Sequence, residues 1–105
     1  MWPAQYRAAR AVPPHSLEEL RPAHGTVALR ITLPGCTECA RFEVEDRSDY
    51  EAWLKHGEGV THIYDWDCQR ASYRRSAEAA GVDELPSYVL LPAKGSPRVV
   101  RPHAT

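Results

Sequence analysis

The stretch TVALRITLPGCTEC at residues 26–39 decides the fold. Its first eight residues are rich in β-branched side chains and partly alternate in polarity, which predicts a mostly buried strand. Pro34 and Gly35 stop that strand, and a helix is expected to begin at Cys36 and to run to about Asp46. The cysteine pair therefore lies where a strand ends and a helix begins.

The segment before this stretch predicts an arm and a short helix. Residues 1–15 are expected to form an irregular N-terminal arm, in which residues 6–12 can add a first strand. Ser16 is expected to cap a short helix that ends near Arg21, since acidic residues fill its first turn.

The segment after the cysteines predicts a second helix. Residues 48–51 read as a capping box, which favours a helix over residues 49–56. In that helix Tyr50, Trp53 and Leu54 have the spacing of one buried face.

The rest of the chain predicts one more helix and a closing hairpin. Asp67 is expected to cap that helix and Gly81 to end it. Together the elements predict an α/β fold, with a mixed β-sheet of four to five strands flanked by helices. The remaining predicted elements are a strand over residues 60–64, a helix over residues 68–80, and hairpin strands over residues 87–91 and 98–101.

The composition is that of one globular domain. The chain has 105 residues, of which 43% are hydrophobic and 26% are charged. Its formal net charge is -1, so no overall field attracts it to nucleic acid or to anionic lipid, and we expect neither partner. Three cysteines without a signal-peptide pattern are too few for a disulfide scaffold, so we expect a cytoplasmic protein without a membrane segment.

The CxxC pair carries the strongest chemical signal. At the amino end of a helix, backbone N–H groups and the helix dipole stabilise an anion, so we expect Cys36 to be a nucleophilic thiolate. Cys39 lies in the same turn, close enough to attack a mixed disulfide formed at Cys36. Glu38 adds negative charge there, so we expect a reducing rather than a strongly oxidising pair.

Other interpretations of the cysteines stay open. A CxxC can be half of a zinc site, but only Cys68, His62 or His24 could join it, and structural zinc takes four ligands. The pair can also be a packing feature of a non-catalytic interaction protein. The third thiol, Cys68, is either a buried inert cysteine or a regulatory thiol. We expect no cofactor and no metal.

Four motifs make the chain resemble the thioredoxin-like superfamily over residues 8–101. The first is the CTEC pair after a hydrophobic strand, and the second is the segment of residues 65–69, which is similar to the end of the third strand of animal thioredoxins. The third is Leu85-Pro86-Ser87, which resembles the cis-proline turn of thioredoxins. The fourth is Lys94-Gly95, which resembles their final hairpin. The resemblance implies a thiol–disulfide oxidoreductase that reduces protein disulfides, with Cys36 as nucleophile and Cys39 as resolving thiol. It divides the chain into an arm over residues 1–15, a thioredoxin-like domain over residues 16–101 and a tail over residues 102–105.

The resemblance also implies a groove for the substrate beside the cysteines. A cis peptide bond before Pro86 places the backbone of Leu85 beside the dithiol, where it can pair with an extended substrate strand. The alternative is a trans proline at the start of an edge strand. The residues expected to bind the substrate are Pro34, Gly35, Thr37, Glu38, Leu85 and Pro86.

The sequence departs from the family around the cysteine pair and at the position of the buried acid. Thioredoxins have a Trp before the first cysteine and Gly-Pro between the pair, whereas this chain has Gly35 and Thr37-Glu38. The buried acid of the family falls at Arg30, which cannot accept the proton of Cys39. The segment around Pro34 is closer to glutaredoxins, but the glutathione-binding segments of that family do not occur here.

The closing helix of a thioredoxin fold has no counterpart after residue 101. We expect another element to cover the exposed apolar face: the arm, the helix over residues 49–56, a second copy of the chain or another protein. The expected partners are disulfide-bonded protein substrates, a reductase or small-thiol electron donor, and a second copy of the chain in a homodimer.

Overall fold

The computed structural model describes residues 17–102 as a four-stranded sheet with helices on both faces. The predicted arm, its first strand, the Ser16 cap and residues 103–105 lie outside the described residues. In chain order the elements are a 3-10 helix (Leu17–Leu20), β1 (Thr26–Thr32), α1 (Thr37–Glu45), α2 (Arg47–Gly57), β2 (Val60–Asp67), α3 (Ala71–Ala79), β3 (Ser87–Pro92) and β4 (Arg98–Val100).

The sheet is mixed and open, with the strand order β2-β1-β3-β4. β1 and β2 are parallel, and α1 and α2 connect them. β3 runs antiparallel to both β1 and β4, and Gly95 with φ +107° lies in the turn of the closing hairpin. The predicted α/β architecture with a mixed sheet is confirmed at this level.

Side chains alternate across the sheet and build a core on each face. On one face, Leu29 and Ile31 of β1 pack with Val89 of β3 and with α3. On the other face, Ala28 packs with Leu90 and with α1 and α2. The period of two along β1 therefore fixes which helices cover which face.

The second helix supplies much of the cover on the α1 face. Leu54 is fully buried and Tyr50 packs against the same core, as we expected. The expected burial of Trp53 is wrong, since its side chain is 48% exposed. Its ring lies 5.5 Å from that of Tyr50, at the margin of the packed face.

The predicted capping box of α2 is not formed. The helix begins at Arg47, and Asp46 is its N-cap residue without a side-chain hydrogen bond. The Glu51 carboxylate, which a capping box would direct back to Ser48, instead binds Arg30 of β1. A tertiary ion pair has replaced the local cap.

The predicted start of α3 is also wrong. β2 continues to Asp67, where it pairs with Thr32, and α3 begins at Ala71 with Arg70 as its N-cap residue. Pairing with β1 keeps residues 65–67 extended, so Asp67 does not cap the helix. None of the helices within residues 17–102 is long and apolar enough to cross a bilayer.

Candidate dithiol site

The two cysteines of the CxxC motif meet at the start of α1. Cys36 is the N-cap residue and Cys39 lies in the first turn, with their Cα atoms 5.2 Å apart and their sulfur atoms at disulfide distance. The Cys39 backbone N–H donates to the Cys36 Sγ atom over 3.1 Å. Cys36 is half-buried, whereas Cys39 is 6% exposed. Cys36 is thus the more accessible cysteine of the pair, and its sulfur accepts a hydrogen bond at the helix terminus.

A tight turn between β1 and α1 positions Cys36 at the start of the helix. The Cys36 backbone N–H donates to the Leu33 carbonyl over 3.1 Å, with Pro34 and Gly35 between them. Gly35 has φ +87°, the conformation that the third position of a type II turn requires. A side chain there would meet no neighbour within 4 Å, so the backbone conformation rather than lack of space favours glycine. Both turn residues are exposed beside the sulfur.

The residues between the cysteines are exposed. Thr37 and Glu38 occupy the first turn of α1. A Glu38 carboxylate oxygen lies 3.4 Å from the Arg41 guanidinium, and both side chains are more than half exposed. An ion pair of this kind is weak. Arg41 therefore offsets only part of the negative charge beside Cys36.

The Leu85-Pro86 bond is cis, which confirms the predicted geometry. Pro86 is buried and Leu85 is half-buried. The Ser87 hydroxyl donates to the Glu84 carbonyl over 2.6 Å and closes this turn. Because Ser87 pairs with Ile31, the turn lies at the same sheet edge at which β1 leads to the cysteines.

Arg30 of β1 lies at the centre of an ion-pair network. The Arg30 guanidinium binds both carboxylate oxygens of Glu51, at 2.7 and 3.1 Å, and also binds Asp65. The Tyr88 hydroxyl donates to the same Glu51 carboxylate. Arg30 and Glu51 side chains are only 11% and 14% exposed. The guanidinium is thus neutralised by carboxylates from α2 and β2.

The network shifts the titration of its members. Burial opposes the charge on Glu51, but hydrogen bonds from Arg30 and Tyr88 outweigh it and hold the pKa of Glu51 below its usual value. Burial likewise opposes the charge on Arg30, and the carboxylates of Glu51 and Asp65 raise its pKa above the usual value. Burial and the neighbouring Glu51 raise the pKa of Tyr88. Glu51 is therefore held as an anion, which makes it a weaker proton acceptor than an ordinary carboxylate.

Cys68 lies at the same edge, directly after β2, and is a buried cysteine that takes no part in the Cys36–Cys39 pair. It lines a cavity of about 400 Å3, here called the Cys68 pocket, on the sheet face covered by α3. Its walls come from the end of β1, from α3 and from the turn before β3. The residues lining it are Ile31, Leu33, Cys68, Arg74, Ala77, Glu78, Val82, Asp83, Glu84 and Leu85.

Sequence reasoning missed two parts of this edge. It gave Arg30 no partner, although a charged residue between apolar strand positions has to find an acid. It also missed the Cys68 pocket, because its lining joins residues from three separate elements. Of the predicted site residues, the structure brings the cysteine pair, its turn, the Leu85-Pro86 turn and Cys68 to one edge of the sheet.

Within residues 17–102, no cluster of three or more side chains has the composition of a metal site. Fold and site together define a small α/β protein with a mixed four-stranded sheet and a CxxC cysteine pair at disulfide distance. The chain matches no protein-family model, and no curated protein is significantly similar to it in sequence.

Proposed function

We propose that this protein has a thioredoxin-like fold and reduces protein disulfides through Cys36 and Cys39. One observation carries the proposal: the more exposed cysteine caps a helix and accepts a backbone hydrogen bond, while its partner lies buried one turn away. This is the environment in which a thiolate is stabilised and a second thiol can resolve it. The cis Leu85-Pro86 turn at the same sheet edge supports a substrate groove there.

The reaction would proceed in two exchanges. The Cys36 thiolate attacks one sulfur of the substrate disulfide, so that a Cys36–substrate bond forms, the substrate S–S bond breaks and the leaving thiolate takes a proton from water. The Cys39 thiol then loses its proton to water and attacks the Cys36 sulfur. The intramolecular disulfide forms and the second substrate thiolate leaves. The protein supplies both electrons, and a reductase or small thiol in a reducing compartment such as the cytoplasm would restore the dithiol.

A non-catalytic interaction protein on the same fold is the second candidate. The ion pairs of Arg30 favour it, because the guanidinium at the position of the family's acid cannot take the proton of Cys39. In that case the cysteine pair would have a structural role, and partners would bind without exchange.

Alkylation and trapping separate the two candidates. In the reduced protein we expect Cys36 to be alkylated at least about tenfold faster than Cys39 at neutral pH, since only Cys36 is accessible at the helix terminus. Peptide mapping by mass spectrometry assigns the sites. Equal rates at both thiols would contradict the mechanism.

Turnover supplies the second measurement. With dithiothreitol as electron donor, the protein should accelerate the reduction of insulin disulfides. Cys39→Ser should accumulate mixed disulfides with insulin, whereas Cys36→Ser should trap none. A wild-type rate no higher than that of Cys36→Ser would leave the interaction protein as the better description.

A further inference from the structure

We propose that the Cys68 pocket selects substrate segments in which an apolar side chain and a basic side chain lie near the reactive cysteine. The inference rests on the proposed function and names the chemistry of its protein substrate. It follows from the walls of the pocket, from the turn that joins its lining residue Leu33 to Cys36, and from the charge of its lining.

The walls of the pocket suit an apolar side chain. Ile31, Ala77 and Val82 are buried, and Leu33 and Leu85 are half-buried where they line the cavity. Its volume of about 400 Å3 lies at the lower end of the range for ligand sites. An apolar side chain that enters it removes its own surface and that of the two leucines from water, which favours binding.

Two residues that line the pocket, Leu33 and Leu85, lie close in the chain to the dithiol and to the cis proline. Leu33 and Cys36 are the ends of one hydrogen-bonded turn, so their Cα atoms lie within about 7 Å of each other. Leu85, which also lines the pocket, precedes the cis proline. An extended peptide advances about 3.3 Å per residue. A side chain two or three positions from the substrate cysteine therefore reaches the pocket while the sulfur is at Cys36.

The pocket is lined by three acidic side chains and one arginine, Arg74, so the charge of its lining is net negative. Asp83 is paired with Arg101, and Arg74 donates to the Cys68 carbonyl. Glu78 and Glu84 are exposed, and neither has an ion pair within the described part of the chain. The lining therefore favours a lysine or arginine beside the apolar residue, and this attraction should weaken with added salt.

Activated peptides test the selection with Cys39→Ser as the trapping variant. Each peptide carries one cysteine as a disulfide with thionitrobenzoate. The Cys36 thiolate attacks the peptide sulfur, the mixed disulfide forms and the coloured thionitrobenzoate anion leaves. One peptide has Leu and Lys at the second and third positions after its cysteine, and three others have Ser and Lys, Leu and Glu, or Ser and Glu there. Mass spectrometry locates the adduct.

We expect the Leu/Lys peptide to react about tenfold faster than the Ser/Lys peptide, the ratio expected from burying one apolar side chain. The Leu/Lys peptide should also react faster than the Leu/Glu peptide. The ratio of these two rates measures the charge preference, and it should fall several-fold in Glu78→Gln/Glu84→Gln and at high salt. The matched control Glu43→Gln/Glu45→Gln removes two exposed acids of α1 away from the pocket and should preserve both ratios.

Equal rates for the four peptides would overturn the inference, as would a charge preference that survives in Glu78→Gln/Glu84→Gln. A small probe, the thionitrobenzoate disulfide of mercaptoethanol, distinguishes this failure from failure of the proposed function. If the small probe reacts at Cys36 without peptide selection, only the pocket assignment fails. If no probe reacts at Cys36, the exchange function fails as well. Light scattering tests whether a second copy of the chain occupies the pocket. If the protein is a dimer, and if dissociation of the dimer raises the reaction rate of the Leu/Lys peptide, the pocket belongs to the dimer interface and the inference is overturned.

Discussion

At the scale of single residues, Arg30 places a positive charge at a largely buried position of β1. Glu51 of α2 supplies the opposite charge. Removing one member of a partly buried pair leaves the other without its partner in a site of low polarity, which costs more than the pair contributes.

The Glu51 carboxylate should make stability depend on pH. Because the folded pKa of Glu51 lies below its usual value, its contribution is present above pH about 4.3 and is lost as pH falls through the folded pKa. Glu51→Gln should therefore lower the free energy of unfolding by about 2 kcal/mol at pH 7. The difference from wild type should shrink as pH falls below about 4. Urea unfolding followed at several pH values measures it.

The exposed acid Glu43 supplies the control. Its carboxylate lies 3.4 Å from the guanidinium of Arg47 in an exposed pair, so Glu43→Gln should change stability by less than about 0.5 kcal/mol. A Glu51→Gln deficit that did not shrink as pH fell below about 4 would show that the charge of Glu51 is not what stabilises the fold.

At the scale of elements, α2 is the helix that covers the sheet beside α1. Leu54 is fully buried there against Ala28 and Leu90. Leu54→Ala should lower the free energy of unfolding by about 3 kcal/mol, since it removes buried methyl groups and leaves a cavity. Denaturant titration checks this.

Val44, near the end of the preceding helix α1, provides the comparison. Its side chain is 86% exposed, so Val44→Ala should change stability by no more than about 0.5 kcal/mol. Comparable losses for both substitutions would mean that α2 is not packed on the sheet as described.

The elements also show which sequence signals were sufficient to predict the positions of helices and strands. Turn and periodicity signals around Gly35 and Gly95 predicted β1, the start of α1 and the closing hairpin, because these depend on neighbours in the chain. The predicted boundaries of α2 and α3 were wrong because long-range contacts replaced the local caps. The Glu51 carboxylate binds Arg30 instead of capping α2, and pairing with Thr32 keeps the end of β2 extended. The cysteine pair was visible as a motif, whereas the Cys68 pocket exists only once three elements meet.

At the scale of the whole molecule, the cysteine pair closes a very short loop. Cys36 and Cys39 are three positions apart, so in the chain-entropy description the disulfide stabilises the fold by only about 2 kcal/mol. Reduction with dithiothreitol should lower the free energy of unfolding by about this amount and leave the fold intact, as measured by urea unfolding with circular dichroism. Cys36→Ser/Cys39→Ser, which keeps Cys68, should show no response to dithiothreitol. Unfolding of the wild type on reduction alone would identify the pair as a structural disulfide.

The two outer strands of the sheet differ in how readily they would template aggregation. β4 is three residues long and lies between Pro97 and Pro102, and proline offers no N–H to an incoming strand. β2 has eight residues and, within residues 17–102, is hydrogen-bonded to a strand on one side only, with Thr61 and His62 exposed. Intermolecular β-pairing of the described domain would therefore begin at β2, and a lysine introduced at Thr61 is the substitution that would guard that edge.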